Sequence, residues 1–125
     1  MNTREQLINQ YIKAYNNFDM EGMLAGLAEG VRFENISDGA VNLSLAGLTA
    51  FKAQAEQAAG IFSSRQQTVT RFEHLPGQTE VIIIYHAVLA TDLPNGMKKG
   101  DELNLAGKSV FKFSGDKIIG ITDIS

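Results

Sequence analysis

Apolar residues recur along this chain with two different periods, and the change of period divides it. Leu7, Ile8, Tyr11, Ile12, Tyr15 and Phe18 fall at helical spacing. Thr3 and Gln6 have the spacing of a capping box, which satisfies free amides at a helix start. Asp19 is placed to cap a second, short helix carrying Met20, Met23, Leu24 and Leu27, with Gly30 positioned to close it. Residues 31–36 alternate as a strand, Ser37-Asp38-Gly39 is turn chemistry, and residues 41–45 suggest a short strand. Residues 48–59 are alanine-rich without a breaker, which predicts a third helix ended by Gly60. From residue 65 the period becomes two. Strands are expected at 67–75, 80–91, 102–113 and 118–124, separated by Pro76-Gly77, a loop at 93–100, and Ser114-Gly115-Asp116.

Three helices and a late strand meander, with no βαβ repeat, predict one α+β domain whose helices pack on one face of a mainly antiparallel sheet. Alternation then sorts the side chains. Leu103, Leu105, Gly107, Ser109, Phe111 and Phe113 form the face expected to be buried. The strand before it is apolar on both faces: Val81, Ile83, Tyr85, Ala87 and Leu89 on one, Ile82, Ile84, Val88 and Ala90 with His86 on the other. An antiparallel strand usually has one wet face, so the outer one is expected to be covered, by a second copy of the chain in the favoured reading and by a terminal segment folding back in the plainer one.

Composition narrows the function classes. At 125 residues the chain suits one domain and needs no staples, and 44% apolar with 20% charged residues is a globular composition. With no cysteine, disulfides, thiolate metal sites and cysteine nucleophiles are excluded. The net charge of −3 carries no basic stripe, so no nucleic acid partner is expected. The opening residues lack a signal-peptide pattern and the apolar runs are too short to span a bilayer, so a cytoplasmic protein without a membrane partner is expected. His74 and His86 have no metal or triad spacing, and no phosphate-binding glycine loop is present. No cofactor is expected.

Three stretches carry a resemblance that spans nearly the whole chain: residues 11–23 (YIKAYNNFDMEGM), Ala46-Gly47 followed by the helix with Phe51, and residues 109–118 (SVFKFSGDKI) with the ending 121–125 (ITDIS). Together they resemble the nuclear-transport-factor-2-like superfamily, in the group of ketosteroid isomerases and SnoaL-like polyketide cyclases. The resemblance implies a cone-shaped fold, helices over a concave sheet, a pocket at the open end, and dimers through the outer sheet face. Isomerases of that group use a base carboxylate on the first strand, a tyrosine on the first helix and a protonated acid on a late strand. By position these fall on Asn35, Tyr11 and Ser109. Asn35 is no base and Ser109 is a weaker donor, so ketosteroid isomerisation by that mechanism is not expected.

The inward positions remain polar. Tyr11, Asn35, Tyr85 and Ser109 should project into the cavity, with Tyr15, Phe33 and Phe111 completing the ligand-binding wall. Asp123 shares a strand face with Ile119 and Ile121. A carboxylate on an apolar face is costly, its pKa should rise, and this makes Asp123 the candidate general acid or base beside Tyr11. The plainer alternative places Asp123 at a wet strand end. Asp38 is a rim candidate, though Ser-Asp-Gly is ordinary turn chemistry. Two readings follow. One is a small-molecule enzyme, an isomerase, cyclase or hydrolase, acting on an apolar or aromatic ligand that bears a carbonyl. The other is a non-catalytic ligand-binding or dimerisation module.

Overall fold

The computed structural model describes residues 3–125; the reading of Met1 and Asn2 as the start of a polar helix lies outside them. The order is α1 (Thr3–Asn16), α2 (Met20–Ala25), β1 (Leu27–Ser37), β2 (Ala40–Ala46), α3 (Leu48–Ala59), β3 (Phe62–Leu75), β4 (Gln78–Leu89), β5 (Glu102–Ser114) and β6 (Lys117–Ile124). The six strands form one sheet in the order β2-β1-β6-β5-β4-β3. Only β1 and β6 run parallel; every other neighbouring pair is antiparallel. The chain is therefore α+β as expected, with one change: α3 follows the β1–β2 hairpin and is not N-terminal.

Local chemistry explains the boundaries. Asp19 caps α2, accepting the Gly22 amide at 3.0 Å. Gly26 closes α2, four residues before the expected Gly30, because the chain there is already committed to the sheet: the Ile118 amide bonds the Gly26 carbonyl at 2.9 Å. Gly30 lies instead inside β1, where the pairing with β6 skips between Leu27 and Arg32. Such irregularities bend strands, and others lie in β3 and at the β5–β6 pair. Gly47 sits at φ 93° before α3, a conformation L side chains rarely adopt.

The core lies between the helices and one sheet face. Ile8, Tyr11 and Ile12 of α1, Met23 of α2 and Phe51 of α3 meet Val31, Val81, Ile83, Phe111, Ile118 and Ile121 of the sheet. The end of α1 is fastened to β3, an edge strand. Asn16 donates to the Gln67 carbonyl at 3.1 Å and accepts the Gln67 amide at 2.7 Å, so its carboxamide does what a further strand would do there. No described helix is long and apolar enough to cross a membrane.

Three expectations need correction, one of them a facial assignment. Leu105, expected to be buried, is 48% exposed and lines the smaller cavity. Phe111 is 1% exposed, a core residue packed edge-on against Tyr11. Ile119 is exposed while Ile118 is buried: Phe113 faces Ile118 but Lys112 faces Gly120, so β6 carries one extra residue and its alternation changes phase.

Gly107 tests the seating of β6. A Cβ at this position would lie 2.7 Å from the Ile124 carbonyl oxygen. Backbone cannot step aside as a side chain can, so Gly107→Ala should cost about 1–3 kcal/mol in urea unfolding. An unchanged midpoint would mean that the end of β6 is free to move.

Candidate functional site

The site is built from one row across three strands. Asn35 of β1 stands opposite Asp123 of β6, and Asp123 stands opposite Ser109 of β5. Strand partners share a face, so the register sets all three side chains side by side. Ser109 donates from Oγ to Asp123 Oδ1 at 2.6 Å. Burial pushes the Asp123 carboxyl up to about 6, against the smaller opposite pull of the Ser109 bond. The residue as a whole keeps partial exposure where it lines both cavities, while packed neighbours enclose the carboxyl. Asn35 donates to Asn42 at 2.8 Å across the hairpin, which fixes its carboxamide plane.

Above this row stands Tyr11, held by aromatic contacts. Its ring lies 5.8 Å from Phe111 and 6.4 Å from Phe51, and Phe51 meets Phe33 edge-on at 5.7 Å. Burial raises the Tyr11 pKa, the nearby Asp123 charge raises it further, and Arg65 opposes both. Tyr11 therefore stays a neutral hydroxyl at ordinary pH. That hydroxyl has no hydrogen-bond partner among the described residues. No buried side-chain polar atom is left unsatisfied there, so it opens onto the cavity.

A second group sits one helical turn on. The Tyr15 and Tyr85 hydroxyls are 2.9 Å apart, and burial raises the pKa of both. Arg65 of β3, only 4% exposed, stacks its guanidinium 3.7 Å from the Tyr15 ring centre and 4.4 Å from that of Phe18. Its Nε donates at 2.8 Å to the Tyr15 carbonyl in the last turn of α1, which also accepts the Phe18 amide at 3.2 Å.

Two cavities meet at these residues. The larger, about 350 Å³, is walled by Tyr11, Phe33, Phe51 and Ala58 with Arg65 and Asp123. Its size is that of a small-molecule site. The smaller, about 190 Å³, opens beside Tyr85, Leu105, Ser109 and Lys108. Tyr15, Asn35 and Asp123 line both.

The structure thus brings together Asp123, Tyr11, Tyr15, Asn35, Phe33, Tyr85 and Ser109 around adjoining cavities. Phe111 does not join them; it packs behind Tyr11 and lines neither space. Asp38 sits at positive φ in the β1–β2 turn, away from both cavities. Sequence reasoning missed Arg65, Phe51 and Gln67. Arg65 had a readable signal, since it is in phase with Gln67 and Val69 on the inner side of β3, but the strand was expected to begin only at 67. His74 bridges Glu5 at 2.6 Å and Thr79 at 2.8 Å, a chain that joins α1 to the β3–β4 hairpin. Thr79 is fully buried, so this chain offers no nucleophile to a ligand. Among the described residues no cluster of three or more His, Asp or Glu could hold a metal ion.

Comparison with known proteins fits this geometry. The sequence model of the SnoaL-like domain family matches residues 8–121. No curated protein matches the chain. Among solved structures, a proposed polyketide cyclase from Xanthomonas campestris pv. campestris is 24% identical over 98% of this chain and 90% of its own, with a TM-score of 0.80. TerC, co-crystallised with polyporic acid, is 15% identical over 98% and 91%, with a TM-score of 0.79. A protein of ketosteroid-isomerase-like fold from Catenulispora acidiphila DSM 44928, in complex with trimethylamine, is 10% identical over 94% and 82%, with a TM-score of 0.76. At these identities the likeness is one of fold.

The buried carboxyl makes stability depend on pH. Asp123 titrates near 3.8 when unfolded and near 6 when folded. Between those values the folded chain holds a proton the unfolded chain has lost, so stability falls as pH rises through that window. The two-unit shift sets an upper limit of about 3 kcal/mol. Asp123→Asn keeps an acceptor for Ser109 and removes the ionisation. It should be more stable than the parent in urea at pH above 7, by up to that amount, and should lose the advantage below pH 4. A variant weaker at both pH values would mean that the anion itself is stabilised here.

Proposed function

This chain belongs to the SnoaL-like domain family, and we propose that it is a small-molecule enzyme of that family that moves a proton on an apolar or aromatic ligand bearing a carbonyl group. The observation that carries the reading is Asp123: a carboxyl with its pKa lifted to about 6 by burial, facing a cavity of about 350 Å³. A pKa near the working pH suits a group that must both accept and return a proton.

The other residues fit the same chemistry. Ser109 occupies Oδ1 of Asp123 and leaves Oδ2 for the ligand. Ionised Asp123 takes a proton from the carbon next to the carbonyl, and electron density moves onto the carbonyl oxygen. The Tyr11 hydroxyl, kept neutral by burial, donates to that oxygen as charge develops. Asn35 contributes carboxamide polarity beside it, while Phe33 and Phe51 supply an apolar wall for the body of the ligand. The crystallised complexes of two proteins of this fold, with polyporic acid and with trimethylamine, are in keeping with a small-molecule site.

Exchange of the α-protons of β-tetralone in heavy water, followed by NMR, isolates this step. The parent should accelerate exchange, with a rate rising through about pH 6 as Asp123 ionises. Asp123→Asn should lower the rate by about 10²-fold or more, and Tyr11→Phe by about 10²–10³-fold. If the ketone binds without exchanging, proton transfer is not the function and a ligand-binding module takes its place.

The same reading includes a homodimer through the outer sheet face. Ile82 and Ile84 on β4 are 41% and 55% exposed, beside Ala106 of β5. The Glu80–Lys108 ion pair at 3.1 Å and the contact of His86 with Glu102 at 3.4 Å frame them. An apolar centre with a charged rim is the composition of a protein interface. Sedimentation should give a dimer for the parent and a monomer for Ile84→Lys. A monomeric parent would remove this part of the proposal.

A further inference from the structure

We infer that the ligand of the larger cavity carries a carboxylate-like anionic group and that Arg65 binds it. This rests on the reading of that cavity as a small-molecule site and adds the chemical class of what enters it.

Arg65 is 4% exposed, so its guanidinium has been taken out of water. A buried charge is costly unless paired, and native proteins ordinarily pair it. Among the described residues Arg65 has no ion pair: the three pairs present join other side chains. Its structural task accounts for one edge only. Nε bonds the Tyr15 carbonyl, and Nη2 lies 4.0 Å from the Met23 sulfur, a weak acceptor. Nη1 has no hydrogen-bond partner among the described residues. No buried polar atom there is left unsatisfied, so Nη1 reaches the cavity that Arg65 lines.

The rings of Tyr15 and Phe18 cover the guanidinium and hold its plane fixed. A fixed planar fork with a free edge suits the two oxygens of a carboxylate better than any neutral group. Arg65 and Asp123 line the same cavity without forming an ion pair. A ligand bound between them would keep its anion on Arg65 and its carbonyl near Asp123 and Tyr11.

Calorimetric titration with naphthoate and with naphthamide tests this, since the two differ little except in charge. The parent should bind naphthoate at least tenfold more tightly. Arg65→Met, which removes the guanidinium and its charge, should lose that preference. Arg65→Lys, with charge but no fork, should show a reduced preference. A crystal of the parent with naphthoate gives the answer without any substitution. The carboxylate on Arg65 supports the inference, and a carboxylate placed elsewhere overturns it. Equal affinity of the parent for both probes also overturns it, while leaving the apolar-ligand reading intact. Binding of neither probe removes that reading and the inference together.

Discussion

Asp123 holds its place because β6 is inserted between β1 and β5, parallel to one and antiparallel to the other. That insertion is the only way the first strand and the late strands of this chain share a sheet, and it brings Asn35 and Ser109 to either side of a carboxyl. A slip of one residue on β6 would turn Asp123 to the outer face and bring Thr122 or Ile124 inward. The extra residue at Ile119 makes the phase: Ile118 faces the core below it, and Ile121 and Asp123 face inward above it. The site thus depends on a local irregularity in a strand as much as on the residues that carry chemistry.

The cavity persists because the large side chains that could fill it are committed elsewhere. Phe111 lies behind Tyr11, and Phe51 is braced between Tyr11 and Phe33 by tilted and edge contacts. Closing the space would break these contacts for fewer new ones, since packed cores rearrange between discrete arrangements and do not deform smoothly. Leu105, half-exposed, stands at the margin of the smaller cavity.

Much of this was legible in the sequence, for reasons that separate what period can tell from what it cannot. α3 was found at Leu48–Ala59 because an unbroken alanine-rich run between two glycines has few other readings. Asn35, Tyr85, Ser109 and Asp123 were placed inward by parity alone, and parity held because no irregularity separates them from their core neighbours. It failed at Ile119, where an added residue reverses the phase, and at Leu105, which keeps the parity but is half-exposed at the margin of the smaller cavity. Phe111 was assigned to the correct face, but alternation cannot distinguish a wall residue from one packed behind the wall. Gly30 misled because a glycine closing a helix and one relaxing a strand look alike in sequence. Arg65 went unseen because a cation near a strand start is usually solvated. Only the tertiary placement of Tyr15, Phe18 and Met23 against it turns that position into a buried one.

The separation of Arg65 from Asp123 is the last element of the arrangement. Each is anchored on its own side: Asp123 by Ser109, Arg65 by the Tyr15 carbonyl and the two rings over its guanidinium. A cation and a carboxyl free to meet in a low-dielectric space would pair, and each would neutralise the other's chemistry. Held apart, the carboxyl keeps the raised pKa that burial gives it, and the guanidinium keeps an unoccupied edge. Because Arg65 also fastens the last turn of α1, the element that carries Tyr11 is fixed by the same residue that leaves a positive charge in the cavity wall. Fold and site therefore share one constraint, and the polarity of the cavity follows from how the first helix is tied to the edge of the sheet.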